Sequence, residues 1–337
     1  MKRRTLLLGL TGCRSPRRPR LNVFNWSDYL GKDTVPRFER ESRVEVRYGV
    51  YESNEEMLAK VFAGNSGWDI VFPSNYFIQP MRESRLLAPL RHELLPNLKN
   101  LDPLLRSPVW DPNLDYSVPY MWGATGIVFN KQLSPPPSAW ADLWDPRLKG
   151  RMTMLDDPAD AMGAALKKLG LSINTSEPGE MLRAQQQLLR QKPLVRAYLN
   201  AEARDQLVAG DLLAAQSWAT TSAQAMEAAP HLDFLYPKEG FSLYADNAAV
   251  LRECRKQELA HEFIDFLMRP EVAAEIVRVS RTATANAAAL ALLPPSLRNN
   301  PVLYPDSRTL SRGEWFAPLP SRAQRMRDRL WTEVKSA

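Results

Sequence analysis

Soft metal ligands are scarce in this chain of 337 residues: two cysteines, Cys13 and Cys254, and three histidines, His92, His231 and His261. No histidine sits near another or near a cysteine, which argues against a nitrogen–sulfur metal centre. No metal and no other cofactor is expected. The chain has neither a G-x-x-x-x-G-K nor a G-x-G-x-x-G run, the usual cradles for nucleotide phosphates. It has no G-x-S-x-G elbow, and no Ser-His-Asp grouping can be proposed from its order of residues. Paired acids could serve a glycosidase, but the sequence does not fix their separation. An enzyme is therefore not expected. No stretch approaches the roughly 18 uninterrupted apolar residues of a membrane span.

Surplus positive charge is also missing from most of the chain. The formal charge is +6, from 44 basic and 38 acidic residues. Seven of the basic residues (Lys2, Arg3, Arg4, Arg14, Arg17, Arg18 and Arg20) fall before Leu21, where there is no acid. Removing those seven leaves 37 basic residues against 38 acidic, a net of −1 from Leu21 onward. A nucleic-acid binder carries its positive charge on the folded face, so nucleic-acid partners are discounted.

The basic start has another meaning. Lys2-Arg3-Arg4, the apolar run Thr5 to Leu10 and then Leu10-Thr11-Gly12-Cys13 fit an export signal with small residues before the cut. The tetrapeptide resembles a bacterial lipobox, which would make Cys13 a lipidated first residue. Arg3-Arg4 also reads as a twin-arginine signal, and a cytosolic extension is the plainer alternative. We expect residues 1–12 to be a signal peptide and 13–20 a basic tether able to lie on anionic lipid. With Cys13 modified, Cys254 has no disulfide partner, and a buried, inert thiol is expected.

From Leu21 the pattern alternates strand and helix. Leu21–Asn25 reads as a strand, as does the alternation of Val44, Val46, Tyr48 and Val50. Ser53 to Glu56 reads as a capping box that opens a helix through Met57, Leu58, Val61 and Phe62. A buried strand at Asp69–Pro73 runs into Ser74-Asn75-Tyr76. Residues 91–118 are loop-rich, and 118–130 reads as a long extended crossing with a hinge near Gly123. A second series follows: a strand at Arg151–Leu155 and a helix from Asp157 to Gly170. Further strands are read at Leu212–Ser217, Phe234–Pro237 and Asn247–Leu251, then helices through Phe263 and Ile276. Repeated β-α-β units imply α/β lobes with mainly parallel sheets flanked by helices. No repeat of fixed period occurs.

Chemistry gathers where these strands end, which is where open α/β sheets bind ligands. The first strand ends in Trp26-Ser27-Asp28-Tyr29, and another in Ser74 and Tyr76. Asp157 and Asp160 stand three apart across a helix start, as ordinary caps also do. Trp218 closes a strand, and Tyr244 with Asp246 precedes the next. Ring faces attract ammonium and cover methylenes, and carboxylates neutralise the charged ends. Acids in both halves suit an organic cation with several charges.

These residues carry a resemblance. Asn25 to Tyr29, Tyr51 to Glu55, Asp115 to Thr125, Trp140 to Trp144, Tyr236 to Gly240 and Leu303 to Asp306 together resemble the spermidine/putrescine-binding proteins of polyamine ABC transporters. The likeness runs from Leu21 to Trp331. It implies a two-lobed periplasmic-binding-protein fold of type II, with 21–123 and 246–293 in lobe 1 and 124–245 and 294–337 in lobe 2. It implies a monomer in the periplasm or at the outer face of the cytoplasmic membrane, which captures a polyamine and delivers it to an ABC permease. The site it implies comprises Trp26, Ser27, Asp28, Tyr29, Ser74, Tyr76, Asp157, Asp160, Trp218, Tyr244 and Asp246. Two further positions depart from the family pattern: Thr282 stands where a ring is expected, and Phe316 where a Gln is expected. A sensor, or an enzyme reusing the fold, is the alternative.

Overall fold

The structure is a computed structural model that describes residues 18–27 and 29–337. The export signal, Cys13 and Asp28 lie outside the described residues.

The first segment gives β1 (Arg20–Trp26), α1 (Thr34–Ser42), β2 (Glu45–Tyr51), α2 (Asn54–Phe62), β3 (Ile70–Val71) and α3 (Asn75–Glu83). Three short 3-10 turns follow between His92 and Leu105, and then β4 (Val118–Asn130). Next come β5 (Met152–Met154), α4 (Pro158–Lys168), α5 (Pro178–Gln191), β6 (Val195–Tyr198), α6 (Ala203–Val208) and β7 (Ala214–Trp218). The series continues with α7 (Ala219–Ala228), β8 (Leu232–Leu235), β9 (Phe241–Val250), α8 (Gln257–Leu267), α9 (Pro270–Ser280) and β10 (Ala283–Thr284). The last elements are α10 (Ala287–Leu290), α11 (Pro295–Arg298), α12 (Ser307–Leu310), β11 (Gly313–Trp315) and α13 (Ser321–Ser336).

Two long strands organise these elements. All 13 residues of β4 and all 10 of β9 are buried, and the strands pair antiparallel with each other. On one side, the end of β9 pairs β3, which leads to β1 and β2. On the other, β4 changes partner after Ala124: from Thr125 it pairs β7, which leads to β5 and β6. The expected parallel pairing is found among β1, β2 and β3 and among β5, β6 and β7. The two crossing strands add antiparallel pairs to both halves.

The crossing needs a glycine. A Cβ on Gly123 would fall 2.5 Å from the Tyr244 hydroxyl and 2.7 Å from its Cζ. Only a residue without a side chain lets that ring lie across β4.

Several expectations need correction. Tyr244 and Asp246 do not precede a strand; they lie within β9, which starts at Phe241. Ser242, Asp246 and Asn247 break the apolar run in sequence, but each is buried and hydrogen-bonded inside the protein. The strand at Asp69–Pro73 shrinks to Ile70–Val71, although the Asp69 backbone still bonds Asn22 and Leu251 on either side, and its carboxylate accepts from the Asn22 amide and pairs Lys256. Arg20, placed with the tether, is the first residue of β1 and forms an exposed ion pair with Glu45 at 2.8 Å. The capping box is looser than drawn: Ser53 accepts from Glu56, but the Glu56 carboxylate returns to the Glu52 amide. Cys254 is buried, and burial pushes its thiol up to about 12.

Candidate functional site

A narrow cavity lies where the two halves of the sheet meet. Trp26, Tyr29, Asn54, Ser74, Tyr76, Asp157, Asp160, Trp218, Tyr244, Asp246 and Phe316 line it. They come to one place because strands end and helices begin around it. Trp26 is the last residue of β1, and Ser74 and Asp157 stand immediately before α3 and α4. Trp218 joins β7 to α7.

Asp246 is 1% exposed and held from two directions. The Tyr29 phenol donates to Oδ2 at 2.7 Å and the Ser74 hydroxyl donates to Oδ1 at 2.8 Å. Ser74 is itself fixed by Asn54, whose Nδ2 also reaches the Tyr76 hydroxyl at 3.3 Å. Burial pushes the Asp246 carboxyl up to about 6, against the pull of its Tyr29 and Ser74 donors. A buried carboxylate with two fixed donors and a face on a cavity is a ready partner for an ammonium.

The second pair of acids lies across the cavity. Asp157 does cap α4: its Oδ1 accepts from the amides of Ala159 and Asp160. Capping and facing the cavity are compatible, because only one of its oxygens is spent on the helix. Asp160 accepts from Ser242 at 2.6 Å and from the Trp218 indole at 2.9 Å. Burial raises both carboxyls, that of Asp157 to about 8, and for Asp157 the Asp160 charge adds to it. Each acid is thus costly to ionise without a cation nearby.

Rings form the remaining walls. Trp26 packs on Tyr51 at 4.8 Å and donates its indole N–H to the Phe72 carbonyl, which fixes its plane. Tyr76 meets Phe316 at 5.1 Å, and Phe316 is held by the Asn75 side chain on its carbonyl.

Not every expected residue lines this cavity. Ser27 faces an adjoining cavity that shares Trp26, Tyr29, Trp218 and Tyr244, and its hydroxyl donates to Glu52. Thr282 is fully buried behind that second cavity, its hydroxyl 3.0 Å from that of Thr220. Asn54, Ser242 and Thr220 were missed by the sequence reading. Asn54 occupies the first turn of α2 directly after a recognised cap, the one signal that could have found it.

The model of the bacterial extracellular solute-binding proteins matches residues 34–303. The chain belongs to this family. It is 36% identical over 313 residues to the spermidine/putrescine-binding periplasmic protein of Salmonella typhimurium, covering 92% of this chain and 90% of that protein. It is 34% identical over 336 residues to the putrescine-binding periplasmic protein SpuD of Pseudomonas aeruginosa, covering 94% and 92%. Among solved structures, a Listeria monocytogenes protein provisionally assigned as a spermidine/putrescine ABC transporter superposes with a TM-score of 0.91. That structure is 33% identical and covers 94% of this chain and 98% of its own. The fold is therefore the two-lobed solute-binding fold, with β4 and β9 as the strands shared by its halves. Among the described residues, no helix is long and apolar enough to cross a membrane.

Proposed function

We propose that this solute-binding protein captures a spermidine- or putrescine-like polyamine between its lobes and delivers it to an ABC permease. One observation carries the reading: three buried carboxylates, Asp157, Asp160 and Asp246, line one cavity walled by aromatic rings. Buried acids of this kind are stable as anions only beside a cation. Asp246, with Tyr29 and Ser74, takes one ammonium end, and Asp160 and Asp157 take positive charge across the cavity. Trp26, Tyr29, Trp218 and Tyr244 cover the methylenes. Ser27 serves the adjoining end, Asp28, outside the described residues, is a further ligand partner that the family resemblance implies, and Thr282 and Phe316 bear on the choice among polyamines. The relatives in Salmonella and Pseudomonas support the ligand class by what they bind.

The lobes divide at the crossings near Gly123 and Tyr244–Asp246, with 21–123 and 246–293 in one and 124–245 and 294–337 in the other. Closure is a hinge motion about those strands. The protein acts as a monomer outside the cytoplasmic membrane, tethered through a lipid on Cys13 and the basic residues Arg14, Arg17 and Arg18. One acyl chain alone binds membranes only marginally, so the basic tether or further acylation must assist. The role is binding, not catalysis.

A thermal-shift panel of putrescine, cadaverine, spermidine, norspermidine and spermine tests the reading. A bound ligand raises the melting temperature with the logarithm of its excess over Kd. A shift from at least one polyamine and none from lysine or choline is expected. No shift from any polyamine overturns the reading. Mass spectrometry of the native N-terminus tests the anchor, and an unmodified Cys13 overturns it.

A further inference from the structure

One helix face reaches from one half of the protein to the other. Thr220, Gln224 and Glu227 recur at i, i+4 and i+7, so they share a face of α7. That helix leaves the end of β7, in the half that β4 enters at Thr125. Their partners are three consecutive residues of the other half, Ser280, Arg281 and Thr282, where α9 ends and turns into β10. The hydroxyls of Thr220 and Thr282 lie 3.0 Å apart, and the Gln224 side chain donates to the Ser280 carbonyl at 2.7 Å. Arg281 donates through Nε and Nη2 to the two carboxylate oxygens of Glu227 at 2.7 and 2.8 Å, a bidentate pair. The contact stands beside the ligand: Thr220 and Gln224 line the adjoining cavity, and Trp218 directly precedes α7. Glu227 and Arg281 line neither cavity. Arg281 caps α9 in the left-handed conformation, at φ 57° and ψ 35°. Glycine usually takes that place, so an arginine there accepts a backbone strain that glycine would avoid.

We propose that Glu227 and Arg281 are positioning residues for ligand capture: a latch between the lobes that forms on closure and sets the affinity for whatever is enclosed. Rotation about β4 and β9 carries α7 away from the end of α9, so the pair exists in the closed protein and parts on opening. Its free energy then belongs to the closed state alone and shifts the balance between the two. The apparent affinity of a ligand scales with the population of the binding-competent state, so every polyamine gains by the same factor. The enclosed ligand leaves only after the pair parts, which puts the factor on dissociation and leaves association alone. The inference rests on the polyamine and hinge readings above.

The test is calorimetric titration of putrescine and spermidine into the parent, Glu227→Ala, Arg281→Gly and the double variant, with melting curves of each without ligand. Alanine suits the interior of α7, and glycine suits the left-handed cap of α9, so both substitutions remove the pair without spoiling a helix. Each single variant should weaken putrescine and spermidine by the same factor, roughly threefold for an exposed but bidentate pair. The double variant should lose no more than either single one, the mark of two residues that act through each other. The ligand-free melting temperature should not fall, because the open protein lacks the pair. A merely structural role would lower that temperature and leave the affinities alone. Parent affinities in both single variants, a lower ligand-free melting temperature, or a changed ratio between the two polyamines overturns the inference. A parent that binds neither polyamine sinks the polyamine reading, and one that binds without a smaller radius of gyration in small-angle scattering sinks hinge closure; either takes the latch with it.

Discussion

Tyr29 and Asp246 stand 217 positions apart and meet in a 2.7 Å hydrogen bond, the phenol donating to Oδ2. The bond ties the loop after β1 to the middle of β9, one of the two strands that pass between the halves of the protein. Opening or closing that disturbs β9 therefore disturbs the anion. Tyr29→Phe removes one of the two donors that favour the ionised form, so its carboxyl should rise beyond about 6. Polyamine affinity should fall severalfold at pH 6 and recover most of the loss by pH 8. Titration at both values checks this; an equal loss at both would mean that the phenol serves packing alone.

The pH dependence of stability follows from burial. Asp246 is raised from an ordinary carboxylate value to about 6, so the folded chain holds a proton that the unfolded chain has lost between about pH 4 and 6. Stability of the ligand-free protein therefore falls as pH rises through that window. The Asp157–Asp160 pair, also raised, carries the same trend to higher pH. A bound polyamine favours the ionised acids, so it reverses the trend and expels protons on binding. Melting curves from pH 5 to 8, with and without ligand, should converge at the acid end and separate at the other. A ligand-induced shift that is larger at pH 5 would contradict this.

Gly123 makes a third test. Alanine there places a methyl against the Tyr244 ring, which must leave the cavity wall or push β9 away from β4. Overpacking of this kind costs about 1–3 kcal/mol. Gly123→Ala should lower the melting temperature and weaken binding, and in a Tyr244→Ala background, already destabilised by the lost core ring, the same alanine should cost little further stability. An equal cost of Gly123→Ala in both backgrounds would mean that the methyl does not act through the Tyr244 ring.

Trp218 serves Asp160 twice, as a ring and as a donor at 2.9 Å. Trp218→Phe keeps a ring and loses the N–H, whereas Trp218→Ala loses both. Loss of a hydrogen bond to a charged group costs about 1.5–3 kcal/mol. The Phe variant should bind about tenfold more weakly, since 1.4 kcal/mol is one decade, and the Ala variant more weakly still. Equal binding by parent and Phe variant in calorimetry would mean that Ser242 alone suffices to hold Asp160.

Much of this was legible in order of residues. The alternation around Val44 to Val50, the cap at Ser53 and the long extended run through 118–130 mark elements whose local and tertiary preferences agree. Tyr244 and Asp246 were legible as a pair but not as part of a strand. Their polar neighbours find buried partners supplied by distant segments, which no local pattern reports. Thr282 shows the limit of position matching: its hydroxyl turns to Thr220, and it stands one layer behind the cavity walls. Arg281 was invisible for the opposite reason, since an arginine at a helix end looks solvated until α7 is set against it.

Buried acids hold the polyamine's charges in this site, Asp246 foremost. The most direct measurement is a calorimetric comparison of the parent with Asp246→Asn, using the best polyamine of the panel. Removing the carboxylate but keeping its shape leaves a desolvated ammonium without its partner, which should weaken one-to-one binding by roughly tenfold or more. If Asp246→Asn binds as the parent does, Asp246 is a structural acid of β9 and the site drawn here is wrong.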